Sequence, residues 1–149
     1  MYASKNNGRN MISYFKSEMI KDFNEKSEIR YLLKHALDKN EFELYYQPKI
    51  CAETEKYIGF ESLIRWNSKE KGFISPMVFI PEAENNGSIL EIGDWVIYET
   101  CKQAAFLTKE GLLKDNISLN MSPVQFMQKN VDLVIKSALD KYELDPSKI

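Results

Sequence analysis

From residue 24 onward the apolar positions of the chain fall into runs of readable period. Ile29, Leu32, Leu33, Ala36 and Leu37 recur at spacings of three and four behind a polar turn, which predicts an amphipathic helix with Asn24 as its cap. Phe42, Leu44, Tyr46, Pro48 and Ile50 then alternate with Glu43, Tyr45, Gln47 and Lys49, the period of two that marks a strand. Pro48 has no amide hydrogen to give to a ladder, so this strand lies at an edge or ends there. The polar run Glu53-Thr54-Glu55-Lys56 leads into a second strand from Tyr57 to Trp66, and so short a connection favours antiparallel pairing. A hairpin therefore opens the domain.

Beyond the hairpin the punctuation is helical. Ser75-Pro76 puts a capping residue and a proline at the start of a helix that runs to about Asn85 and stops at Asn86-Gly87. Ser88 and Glu91 have the spacing of a capping box for a further helix, with an apolar stripe through Ile89, Val96, Ala104 and Leu107 and a stop at Gly111. Ile117 to Met121 reads as a short strand. Ser122-Pro123-Val124-Gln125 is another capping box, and Val131, Val134, Ile135, Ala138 and Tyr142 mark a last helix. A strand followed by a helix is α/β logic. The first 25 residues differ: Lys5 to Asn10 is a polar turn and Met11 to Phe15 a short strand-like run, with no core pattern behind it.

Composition narrows the class. A chain of 149 residues with 44% hydrophobic content can bury the core of one domain. Its 20 Lys and Arg against 22 Asp and Glu leave no basic footprint, so neither DNA nor RNA is an expected partner. Cys51 and Cys101 lack metal-ligand spacing, and no signal-peptide order is present, which points to a reducing cytoplasm. No apolar run approaches the ~20 residues that cross a bilayer, so no membrane contact is expected from this segment, although a longer parent can be anchored elsewhere.

The candidate chemistry sits on the second strand. Glu61, Leu63 and Arg65 face one way, and Phe60, Ser62, Ile64 and Trp66 the other. At about 3.3 Å per residue, Glu61 and Arg65 stand roughly 13 Å apart, a separation that suits a ligand between them better than a salt bridge. Each residue also has a plain reading. Glu61 reads as a solvated strand residue, Arg65 as a clamp on a nearby carboxylate, Gln47 as a partner for an edge backbone group, and Asn120 as a turn residue at a helix entrance. His35 has no second His or Cys at ligand spacing, and Ser62 lacks the Gly-x-Ser-x-Gly elbow of a nucleophile.

Several segments occur together in one order: Tyr46-Gln47-Pro48-Lys49-Ile50, Gly59-Phe60-Glu61-Ser62-Leu63-Ile64-Arg65-Trp66, Ile74-Ser75-Pro76 with Phe79-Ile80-Pro81, Ile92-Gly93-Asp94-Trp95-Val96, and Ser118-Leu119-Asn120-Met121-Ser122-Pro123-Val124-Gln125-Phe126. In that order they resemble the first part of an EAL-family cyclic di-GMP phosphodiesterase domain, over Phe42 to Ile149. The namesake tripeptide reads Glu61-Ser62-Leu63, and since Ser62 points away from Glu61 the departure from Ala is expected to be tolerated. The resemblance implies a partial (β/α)8 TIM-like barrel with an antiparallel first strand, truncated after about the third strand and its helices. It also implies roles: Glu61 and Asn120 as ligands of two divalent cations, Mg2+ or Mn2+, Arg65 on a substrate phosphate, Leu63 against a guanine, and Gln47 lining the pocket. The implied activity is hydrolysis of cyclic di-GMP to linear pGpG. A second resemblance, of Met1 to Asn10 to the tail of a GGDEF diguanylate cyclase domain, assigns residues 1–25 to a cyclase remnant and linker and residues 26–149 to the EAL portion. Because a barrel of this kind needs about 250 residues, this piece alone is expected to be inactive and, with open edges, to form homodimers through the barrel. The alternative to an enzyme is a non-catalytic cyclic di-GMP receptor or protein-interaction module.

Overall fold

The computed structural model describes residues 17–149. The polar turn at 5–10 and the apolar run at 11–15, and with them the cyclase-like tail, lie outside the described residues. Helix α1 spans Ser17–Ala36, so Asn24 sits inside it and does not cap it. The reason is local: Ser17 to Asn24 contains no Gly or Pro, and its Glu, Met and Lys favour the helix. The helix also runs through the 25/26 boundary read from the sequence. Ile29, Leu32, Leu33 and Ala36 are its buried stripe, as expected.

Strands β1 (Phe42–Ile50) and β2 (Tyr57–Ser68) form the anticipated antiparallel hairpin, with Phe42 opposite Trp66 and Pro48 opposite Phe60. The register shifts between Pro48 and Ile50, where the proline cannot donate. β3 (Gly72–Ile74) turns back antiparallel on the end of β2, pairing Trp66 with Ile74. Three residues are too few to show a period, so no pattern along the chain predicts this strand.

Helix α2 (Pro76–Asn86) begins as read: the Met77 amide donates to Ser75 Oγ at 3.3 Å, and Gly87 ends the helix in the left-handed conformation at φ 85°. Helix α3 (Ile89–Lys109) departs from expectation, because the capping box of Ser88 and Glu91 does not form. Ser88 follows directly on that turn with helical angles (φ −65°, ψ −15°), which aim its hydroxyl away from the free amides, and its own amide donates to Asn86 Oδ1 at 2.9 Å. Strand β4 (Asn116–Leu119) lies parallel to β2, Gly59 opposite Asn116 and Ser62 opposite Leu119. The capping box at Ser122 forms in full and starts the short helix α4 (Pro123–Phe126), which is separate from the last helix α5 (Val131–Lys141).

β2 is the centre of this four-stranded open sheet. β1 takes one edge, and β4 and β3 share the other, β4 along residues 59–62 and β3 along 66–68. Among the described residues, Leu63 to Arg65 thus have no strand partner on that side. One core cluster gathers α1, α2 and the hairpin around Trp66 and Phe79, and a second places Ile97, Cys101 and Ala104 of α3 against Ile117 and Ala138. The α/β expectation with an antiparallel first strand holds. Among the described residues, no helix is long and apolar enough to cross a membrane.

Candidate active site

The helices cover one face of the sheet, so period-two alternation leaves the other face to Tyr45, Gln47 and Lys49 of β1, Glu61, Leu63 and Arg65 of β2, and Ser118 of β4. Glu61 stands in a row between Gln47 on one side and Ser118 on the other. Asn120, one residue past the C-terminal end of β4, reaches back to this row: its Nδ2 donates to Glu61 Oε1 at 2.6 Å. Glu61, Asn120 and Gln47 are thereby brought together. The turn reading of Asn120 gives way, because the helix entrance is capped by Ser122 and the Asn120 side chain is committed to Glu61.

Arg65 lies further along the same strand face. Its guanidinium stacks 5.3 Å from the Tyr45 ring centroid, and Nη1 donates to the Ile64 carbonyl at 2.9 Å. The carboxylate opposite it, Glu43, instead accepts from Asn67 Nδ2, so Arg65 clamps no carboxylate among the described residues. Leu63 is half-buried beside Arg65, opposite Tyr45. A cavity of about 350 Å³ opens where β3 and β4 diverge from β2, bordered by Leu63, Arg65, Pro76, Phe79 and Asn120. Of the five residues singled out from the sequence, Leu63, Arg65 and Asn120 therefore share one chamber, while Glu61 and Gln47 lie outside its lining, Gln47 on the exposed rim.

Sequence reasoning missed several polar groups beneath this row. Lys49 Nζ donates to Asn116 Oδ1 at 3.2 Å and to Ser118 Oγ at 3.1 Å. Ser62 does point away from Glu61, as read, but its buried hydroxyl is not idle: it accepts from Thr100 Oγ1 at 3.2 Å and donates to the Ser118 carbonyl at 3.3 Å. The one available signal was parity, which puts Lys49 on the face of Gln47 and Ser118 on the face of Asn120. Gly59 lets β4 close on β2, since a Cβ there would stand 2.3 Å from the Asn116 carbonyl oxygen.

Glu61 supplies a carboxylate and Asn120 an amide oxygen, both hard donors suited to Mg2+ or Mn2+. No cluster of three or more His, Cys, Asp or Glu that could hold a metal occurs among the described residues. Comparison with known proteins is decisive about kinship, because the EAL domain family model matches residues 32–149. The chain belongs to the EAL-domain family. It is 36% identical over 147 residues, 99% of its length, to the bifunctional diguanylate cyclase/cyclic di-GMP phosphodiesterase MucR of Pseudomonas aeruginosa, and covers 22% of that protein. It is 31% identical over 145 residues, 97% of its length, to the cyclic di-GMP phosphodiesterase PdeR of Escherichia coli, covering 21% of it. The EAL chain thus spans about a fifth of the length of these relatives. Among solved structures, a MucR phosphodiesterase in complex with c-di-GMP superposes with a TM-score of 0.76 at 35% identity, over 80% of this chain and 48% of that one.

Proposed function

We propose that the chain is part of a bacterial signalling protein that hydrolyses cyclic di-GMP to linear pGpG by metal-dependent phosphodiester cleavage. The observation that carries this reading is the Asn120–Glu61 contact of 2.6 Å, with Asn120 and Arg65 both bordering the same cavity. The relatives MucR and PdeR bear the corresponding names, which supports the substrate. Glu61 and Asn120 would hold a divalent cation, Mg2+ or Mn2+, and a pair of such ions supplies an activated water and charge stabilisation for the leaving oxygen. For that the Asn120 amide must turn over, so that Oδ1 and not Nδ2 faces the carboxylate. Arg65 has a freely directed guanidinium edge for a phosphate once it leaves Tyr45, Leu63 offers an apolar wall for a guanine, and Gln47 donates or accepts at the rim.

With one carboxylate and one amide to offer, the 149-residue chain by itself is expected to bind a cation weakly and to leave the nucleotide intact. The alignment with a bifunctional cyclase and phosphodiesterase over 99% of the chain supports reading residues 1–25 as the end of a cyclase-like domain. The test is a titration of cyclic di-GMP with Mg2+ or Mn2+ into a polypeptide carrying the whole EAL domain, with chromatography of the nucleotide afterwards. Glu61→Gln and Asn120→Ala are each expected to lower kcat/KM by about 100-fold or more. Hydrolysis indifferent to both variants and to chelator would overturn the assignment. Binding without hydrolysis would favour the receptor reading.

A further inference from the structure

The two residues that flank Glu61 are both tied to the one β4 residue that stands opposite it. On one side the Phe60 carbonyl accepts from Ser118 Oγ at 3.3 Å; on the other, Ser62 Oγ donates to the Ser118 carbonyl at 3.3 Å. Each tie has a second anchor. Ser118 Oγ also accepts from Lys49 Nζ on β1 at 3.1 Å, and Ser62 Oγ from Thr100 Oγ1 on α3 at 3.2 Å. The segment that carries Glu61 is thus held from both faces of the sheet, by β1 above and α3 below.

These ties carry information that the backbone ladder does not. The β2–β4 pairing is only four residues long. A slip of one residue would send Ser118 to the helix face, but a slip of two keeps every side chain on its proper face and would still carry Asn120 away from Glu61. Only with Ser118 opposite Glu61 do the Ser62 hydroxyl and the Phe60 carbonyl both find Ser118. The register-specific group is the Ser118 hydroxyl: a slip of two would put Asn116 or Asn120 opposite Glu61 and take that hydroxyl from the Phe60 carbonyl and from Lys49 Nζ, whereas the buried Ser62 and Thr100 hydroxyls, 3% and 0% exposed, fasten this segment of β2 to the β4 backbone and to α3.

We propose that Ser62, Thr100, Ser118 and Lys49 are positioning residues, Ser118 and Lys49 setting the β2–β4 register and Ser62 and Thr100 fastening the Glu61 segment between β4 and α3, and that together they hold the Glu61 carboxylate against Asn120. The proposal rests on the reading of Glu61 and Asn120 as cation ligands only for its functional consequence.

The test uses the isotopically labelled 149-residue chain and follows the Asn120 side-chain amide resonance, first without metal and then during a Mn2+ titration that broadens it. Ser62→Ala and Thr100→Val are expected to move that resonance and to raise the Mn2+ concentration for half-broadening about 10-fold. The double variant is expected to do no more than the worse single one, since both act through one chain of hydroxyls. Thr100→Ser, which keeps the hydroxyl, restores both readings and guards against a Thr100→Val protein that does not fold. A merely structural role would lower the thermal midpoint and leave the Asn120 amide where it was, and that result overturns the proposal. If Mn2+ broadens nothing in the parent chain while the variants still shift the Asn120 amide, the positioning role stands and the cation reading falls.

Discussion

Burial pushes the Cys101 thiol up to about 11, whereas hydrogen bonds from the Thr54 hydroxyl and from the Thr54 and Glu53 backbone draw the Cys51 thiol below its usual value. The thiolate is the nucleophile, so the two cysteines differ in reactivity. Iodoacetamide at mildly alkaline pH is expected to label Cys51 and spare Cys101 in the native chain, and to label both in urea; mass spectrometry of the modified peptides decides, and labelling of Cys101 first would contradict the packing of α3. Alkaline stability follows from the same groups. Tyr46 is pushed up to about 12, mainly by burial and secondarily by Glu99. Both folded-state values are raised, so the stability that Cys101 and Tyr46 contribute is complete below pH 9 and is lost as pH climbs to about 11 for the thiol and about 12 for the phenol. The urea midpoint should therefore fall across that window, and less steeply in Tyr46→Phe; an unchanged midpoint would remove the linkage. Glu61, Leu63 and Arg65 were legible at this scale, because parity alone puts them on one face. The Asn120–Glu61 bond was not, since it joins residues 59 positions apart through a register no local pattern encodes. Thr100 was equally hidden, reading as an ordinary residue of an amphipathic helix until its partner on another element is known.

Among the elements, α1 is held to the rest of the structure unevenly. Arg30 Nε meets Glu82 Oε2 at 2.6 Å, and Glu82 is only 4% exposed, so loss of Arg30 leaves a buried carboxylate without its cation. The Lys71–Glu28 pair at 2.6 Å, and the Lys39–Glu70 pair at 2.9 Å just beyond the end of α1, lie nearer solvent, where such pairs contribute little. Arg30→Ala is expected to cost about 2 kcal/mol in urea unfolding, and Lys39→Ala to leave the urea midpoint nearly unchanged; equal effects would mean that Glu82 is not sealed by α1. The boundaries of β1 matched its alternation, Ser75 capped the helix assigned to it, and the Ser122 capping box formed, though on a short separate helix and not on the last one. Where two signals competed, the structure chose differently. The left-handed turn at Gly87 drew Ser88 into helical angles and cancelled its cap, and good helix formers before Asn24 carried α1 past an apparent start.

At the level of the molecule, the outer edges of β1 and β4 are unpaired among the described residues. Tyr45 and Ile50 on β1 are 54% and 57% exposed, and an open strand edge with apolar neighbours is a template for another strand. Sedimentation velocity of the 149-residue chain is expected to show association that grows with concentration and is weakened by Ile50→Lys; a single monomeric boundary over a wide dilution range would refute it. The relationship between β2 and its partners also orders events in time. β1 and β3 lie beside β2 in the sequence, but the Ser62–Ser118 tie spans 56 positions, with two helices to be laid down between them. A ribosome releasing this chain frees the hairpin long before β4, and contacts so remote in sequence are slow to form. Glu61 therefore spends the early life of the polypeptide beside Gln47 alone, and its pairing with Asn120 is among the last contacts to be made.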